Sequence, residues 1–255
     1  MKHLLHVILV LGLLVGCQSF TDQGPPQAVT EETETLFASA SFPSGLWKLA
    51  PELDSQLRED AQVEFKQMQA SASYDYSEDP DYFRAYGIVI NWTLLGHSGD
   101  LISLAGLHSY DAGGAHPNYQ LSGLIYDNAT QTPVQVLDLF QDKDQAQARL
   151  LKAIRSDILR QKTERYRDNE VATDGLAEEV EGLITDSGEA LAAAALAPSK
   201  KEDQFGGLYV YFSPYELGAY AEGAYTASIP QTAFRDLLKP QFVDLFSGEP
   251  ILKTD

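Results

Sequence analysis

The sequence predicts an α+β fold: two adjacent modules of antiparallel sheet with helices packed on one face. Three patterns carry that expectation. Apolar residues recur every three or four positions from Pro51 to Ala70 and again from Lys143 to Tyr166. Between Tyr82 and Asp127 the period falls to two, with turn residues between the runs. Short strand-like runs then return after Leu196.

In chain order, residues 1–16 read as a signal peptide. Lys2 precedes an apolar stretch from Leu4 to Val15, which ends in Leu14-Val15-Gly16-Cys17. That stretch is shorter than the roughly 20 residues needed to span a bilayer. Cys17 is the only cysteine in 255 residues. A cysteine directly after the small residue resembles the lipobox of bacterial lipoproteins. The resemblance implies cleavage before Cys17, acylation of its thiol, and a membrane partner reached through the lipid. The cell envelope is then the expected location, and in a diderm cell the outer membrane facing the periplasm, because Gln18 rather than Asp follows the cysteine.

Residues 17–41 are poor in apolar residues and rich in Gln, Pro, Thr and Glu, so a flexible tether is expected. The N-terminal module spans 42–130. Leu53, Leu57, Ala61, Phe65 and Met68 form one helical face, and Tyr74–Asp81 reads as a polar loop. Strands follow at Tyr82–Leu95, Leu101–Tyr110 and Tyr119–Asp127, with His108 on the same face as Ile102 and Leu104. The C-terminal module spans 131–240. Its helix carries the stripe Ala146, Leu150, Ile154 and Ile158. Val171–Leu196 fits a helix or a variable insertion. Strands are expected at Leu208–Phe212 and Ala224–Ile229, and a short helix at Gln231–Leu238 after Pro230. Residues 241–255 read as a tail.

Net charge is −19, which excludes the basic footprint that nucleic acid demands and favours encounter with cationic partners. The charge is uneven. Nine acids lie between Glu52 and Asp81, whereas eight of the 18 Lys and Arg lie between Lys143 and Arg167.

Two loop motifs stand out. One is Tyr110-Asp111-Ala112-Gly113-Gly114-Ala115-His116-Pro117-Asn118; the other is Phe212-Ser213-Pro214-Tyr215-Glu216-Leu217-Gly218-Ala219-Tyr220-Ala221-Glu222-Gly223. Together with Val136-Leu137-Asp138-Leu139-Phe140, their order resembles the paired domains of unknown function in the ectodomain of the RsiV-type lysozyme-sensing anti-sigma factor. It is also similar to the module that precedes the catalytic domain of PdaC-type peptidoglycan deacetylases. The resemblance runs from about Phe42 to Leu238 and implies a module facing the cell wall. A cationic protein such as lysozyme, or peptidoglycan itself, is the partner it suggests. Neither an anti-sigma segment nor a deacetylase domain is expected beside the module.

Gly113, Gly114, His116, Asn118, Tyr215 and Glu216 are therefore the candidate binding residues. Two roles are open to His116: a group presented at the loop tip, or a brace for the loop's own backbone. Tyr215 and Glu216 either face a ligand or serve as core plug and turn cap. No catalytic residues are assigned. The chain has no Gly-x-Ser-x-Gly elbow, and Cys17 is its only thiol. His97, His108 and His116 do not match zinc spacing, so neither a metal nor a cofactor is expected. The reading is a non-catalytic, lipid-anchored envelope protein. Two alternatives stay open: a peptidoglycan-directed hydrolase using Asp111 and His116, and a structural lipoprotein docking through the basic helix Lys143–Arg167.

Overall fold

The structure, a computed structural model, describes residues 24–168 and 172–251. The expected signal peptide and Cys17 lie outside the described residues. Six strands form the first sheet in chain order: β1 (Ala28–Glu32), β2 (Leu36–Ser41), β3 (Tyr86–Ser98), β4 (Leu101–Asp111), β5 (Asn118–Asp127) and β6 (Thr132–Pro133). All neighbours are antiparallel except β2 and β3, which run parallel. A parallel pair needs a crossover. It is supplied by α1 (Leu46–Leu49) and the long α2 (Pro51–Glu78). The second module begins with α3 (Lys143–Asp168) and α4 (Leu176–Leu183). The antiparallel sheet β7 (Ala194–Pro198), β8 (Phe205–Phe212) and β9 (Tyr225–Pro230) follows, and a short α5 (Pro240–Val243) comes last. The α+β class holds. Among the described residues no helix is long and apolar enough to cross a membrane.

The two modules stack as four layers. On the outside of the first sheet, Leu53, Leu57, Ala61 and Phe65 of α2 pack on Ala38, Ile90, Ile102 and Leu104. On the outside of the second sheet, Leu150, Ile154 and Ile158 of α3 pack on Leu208, Val210 and Ala227. The two sheets then face each other. Ala105 and Leu121 meet Ala195, Ala197, Tyr209 and Tyr211 there. A central strand in such a stack has no solvent face. Accordingly, Leu101–Gly106 of β4 and all eight residues of β8 are buried in unbroken runs. Ser103 Oγ accepts the Leu196 N–H at 2.8 Å, so a buried hydroxyl joins the sheets. At Gly123 the approach is closer than a side chain allows. A Cβ there would stand 2.4 Å from the Ala194 carbonyl group.

Three expectations change. The segment 28–41 is sheet, not tether. Leu36, Ala38 and Ala40 alternate into the core, and Thr33 Oγ1 accepts the Thr35 and Leu36 N–H groups to shape the turn before them. A composition averaged over the whole segment hides the six residues of β2. The expected loop from Tyr74 is helical as far as Glu78, held by buried Ala72 and by Tyr76 edge-on to Phe83. The presumed tail is also fastened. Phe246 is fully buried between Phe205 and Phe234. The ambiguous stretch after Val171 resolves into α4, a 3-10 turn at Glu189–Ala193 and β7.

Because the sheets share a core, urea should unfold both modules in one transition. Gly123→Ala should lower stability by about 1–3 kcal/mol, the cost of overpacking a close contact. Urea melts followed by tryptophan fluorescence and far-UV circular dichroism check both statements. Two separated transitions would count against the shared core.

Candidate functional site

The first loop motif connects β4 to β5. Asp111 Oδ1 accepts the Gly113 N–H at 3.0 Å, and Gly113 has φ +73°, where glycine is at ease. Arg84 clamps the far side by donating to the carbonyls of Gly113 and Gly114. Asn118 opens β5 and donates to Tyr110 Oη at 2.9 Å. Gly113, Gly114 and Asn118 thus shape the loop. Asp111 is committed to the turn rather than orienting His116.

His116 is exposed at the loop tip. Its Nδ1 lies 2.9 Å from the Pro117 carbonyl, an acceptor, so Nδ1 carries the proton. Nε2 is then the acceptor and takes the Tyr215 hydroxyl at 3.3 Å. The second loop, between β8 and β9, supplies that tyrosine. Tyr220 from the same loop stacks on His116 with centroids 4.1 Å apart and planes 25° apart, and donates to the Pro117 carbonyl at 2.8 Å. Tyr215 lies 5.5 Å from Tyr220. The two motifs therefore meet as one group of three rings. His116 is both a brace and an exposed surface. Glu216 does not join them. It is exposed and lines a separate depression with Leu183, Thr185 and Leu217.

A buried ion cluster holds the second loop from below. Lys162 of α3 is fully buried and donates to Glu179 Oε1 at 2.6 Å and to the Leu217 carbonyl, with Glu222 Oε2 at 3.3 Å. Glu222 also accepts the Ala219 N–H at 3.0 Å and the Tyr225 hydroxyl at 2.8 Å. Arg165 donates to the Glu222 carbonyl and lies 4.1 Å over the Tyr225 ring. Gly218 leaves room for this arrangement, because a Cβ there would stand 2.2 Å from the Glu222 carboxylate and displace it. Burial opposes the charge on both partners. The bonds from Tyr225, the Ala219 N–H and Lys162 outweigh it and lower the Glu222 carboxyl below its usual range. Contacts with Glu179 and Glu222 likewise outweigh burial and raise the Lys162 ammonium.

Lys162 was missed in the sequence, and Tyr220, although part of the second motif, was not among the candidate binding residues. The signal for Lys162 was present: it continues the four-residue spacing of Leu150, Ile154 and Ile158 onto the buried face. Other cations of that helix are also engaged within the protein. Arg149 pairs with Asp236, Arg155 with Asp186, and Arg160 with Asp157 and Glu164. His108 is half-buried against Trp92, with Nδ1 3.4 Å from Glu64. Among the described residues no group of three or more His, Cys, Asp or Glu is placed to hold a metal.

Fold and site define an α+β protein with an exposed cluster of aromatic rings fixed across two sheets. Residues 137–232 match the family model of a protein of unknown function, DUF3298. The fold is similar to the crystal structure of a DUF3298 family member from Bacteroides fragilis, with TM-score 0.53 and 16% identity, covering 85% of this chain and 93% of that one. A DUF3298 family protein from Pseudomonas aeruginosa aligns with TM-score 0.49 and 13% identity, over 89% of this chain and 99% of that one. No curated protein matches the chain.

The ion cluster should leave a pH signature. A lowered Glu222 contributes stability that is present above the unfolded value, about 4.3, and is lost as pH falls through the folded one. Lys162 is raised, so its contribution is present below about 10.4 and is lost as pH rises through its folded value. Glu222→Gln should cost about 1–3 kcal/mol at neutral pH, with the difference shrinking below about pH 4. Thermal melts of both proteins from pH 3 to 8 measure it, and a difference independent of pH would refute the assignment.

Proposed function

We propose that this is a non-catalytic, lipid-anchored binding protein of the bacterial cell envelope, with the His116–Tyr215–Tyr220 face as its recognition surface for a cell-wall ligand. One observation carries the reading. Tyr215 has φ +75° yet remains 58% exposed. A left-handed conformation costs a non-glycine residue about 1–3 kcal/mol, and such strain concentrates at functional sites. Packing does not offset it at Tyr215, because most of the ring faces solvent. Aromatic faces of this kind stack on sugars and anchor protein interfaces. Lys162 and Glu222 keep the loop from relaxing by tying down its second half.

The Leu14-Val15-Gly16-Cys17 signal supports the lipid anchor, and the resemblance to wall-facing modules supports the location. The net charge of −19 favours a second reading, in which a cationic lysozyme-like protein docks on the same face.

The test uses the mature chain carrying Cys17→Ser. It should be retained by purified peptidoglycan or bind lysozyme at low salt, and Tyr215→Ala or Tyr220→Ala should weaken the interaction at least tenfold. Absence of both interactions at low salt would sink the proposal. In cells, labelled palmitate should mark the unaltered chain and not Cys17→Ser, and the variant should leave the membrane fraction. Equal labelling of the two would dismiss the anchor.

A further inference from the structure

A groove lies beside the loops that carry the aromatic face. The groove, about 520 Å³, runs between α3, strand β5 of the first sheet and strands β8 and β9 of the second. Tyr119, Leu121 and Ala224 form its wall on the loop side. Two of these residues lead directly from the rings. Tyr119 lies two positions after Pro117, and its hydroxyl comes within 3.8 Å of where a Cβ on Gly223 would be. Ala224 follows Gly223, at the exit of the loop that carries Tyr220.

The charge of the groove differs from that of the protein. The whole chain has net charge −19, but the groove carries Asp157 and Glu164 against Arg160 and Arg165 and is balanced. Each of the four is already engaged. Arg160 bonds Asp157 at 2.7 Å and Glu164 at 2.8 Å. Asp157 also accepts the Ser228 N–H at 3.0 Å and the Gln161 amide at 2.8 Å. Arg165 is held by the Glu222 carbonyl and the Tyr225 ring. Gln161 in turn donates to the Thr226 carbonyl at 2.9 Å. The outer edge of β9 is thereby satisfied by side chains of α3, which removes the backbone groups an added strand would need.

These facts select the ligand. An ionic ligand would have to break a formed pair and leave one partner without its counter-charge. A peptide strand finds Thr226 and Ser228 occupied. A neutral molecule rich in hydroxyls needs neither, because carboxylate and guanidinium groups fixed by each other keep spare lone pairs and N–H groups. We infer that the groove is the second half of an extended glycan site, in which an uncharged oligosaccharide stacks on the His116–Tyr220 rings and continues along Tyr119 and Ala224 toward Arg160. The inference rests on the wall-ligand reading above and adds the ligand's class, its length and its path.

Calorimetric titration of the mature Cys17→Ser chain with N-acetylglucosamine oligomers of one to six units tests it. The hexamer should bind at least tenfold more tightly than the dimer. Ala224→Phe, which fills the groove, should bring the hexamer to the dimer's affinity and leave the dimer unchanged, while Tyr220→Ala should weaken both. The cationic glucosamine oligomers should bind more weakly than the neutral ones. If the dimer binds through Tyr220 but affinity does not grow with length, the groove inference fails and the aromatic face stands. If the cationic series binds better, the neutral-ligand argument is overturned. If the hexamer depends on Ala224 but not on Tyr220, the aromatic reading fails alone. Binding by no oligomer and no retention on peptidoglycan would remove both. The length series needs no substitution, so misfolding of Ala224→Phe would not rescue the idea.

Discussion

The stacking of two sheets face to face is the constraint from which the rest follows. One candidate loop leaves the first sheet between β4 and β5, and the other leaves the second sheet between β8 and β9. They meet only because the sheets are in contact beneath them. That contact uses small groups: Gly123 against the Ala194 carbonyl, the Ser103 hydroxyl on the Leu196 N–H, and alanines 105, 195 and 197. Small residues shorten the distance between sheets, and the loops can then touch through side chains of ordinary length. Ser213 Oγ completes the junction at its outer end by accepting the Leu121 N–H at 3.1 Å.

The ion cluster under the second loop solves a different problem. A loop with two glycines and a left-handed tyrosine would sample many conformations without an internal tie. Apolar packing resists separation but specifies direction poorly. Lys162 gives direction, because its three donors are spent on Glu179, Glu222 and the Leu217 carbonyl at fixed positions. A buried ion pair gains little net stability over apolar packing. Its effect here is to restrict geometry, since Glu222 can satisfy Lys162, the Ala219 N–H and Tyr225 together only with the loop in one shape.

Much of this was legible in the sequence, and the failures have physical reasons. The period of α3 located its apolar face because one side of that helix is wet. β8 lies between layers and is buried along its whole length, so alternation disappears there, whereas β4 kept a readable two-residue period. The segment from Ala28 to Ser41 was misread because its strand is short and its buried positions include two alanines, which barely register as apolar. The two loop motifs were found from their glycines, prolines and aromatics. Their convergence was not, because contact across 99 positions is a property of the sheet stack. Lys162 was hidden in a cluster of basic residues, where charge suggests exposure and only the four-residue spacing contradicts it.

Charge and strain divide the surface by task. Part of the acidic excess lies on α2, where seven acids stand against Arg58 and Lys66. Acids spread over an exposed helix act at long range and weaken with salt. The groove beside the rings is neutral and its ions are mutually paired, so its selectivity depends on hydrogen-bond geometry, which salt screens little. A partner drawn by the acidic face and a ligand held in the groove would therefore respond differently to ionic strength. Tyr215 is the one exposed aromatic residue among the described residues whose backbone is held in a left-handed conformation. The fold keeps that strain because Lys162 fixes one end of the loop and Ser213 the other, so the ring cannot relax without breaking a buried bond.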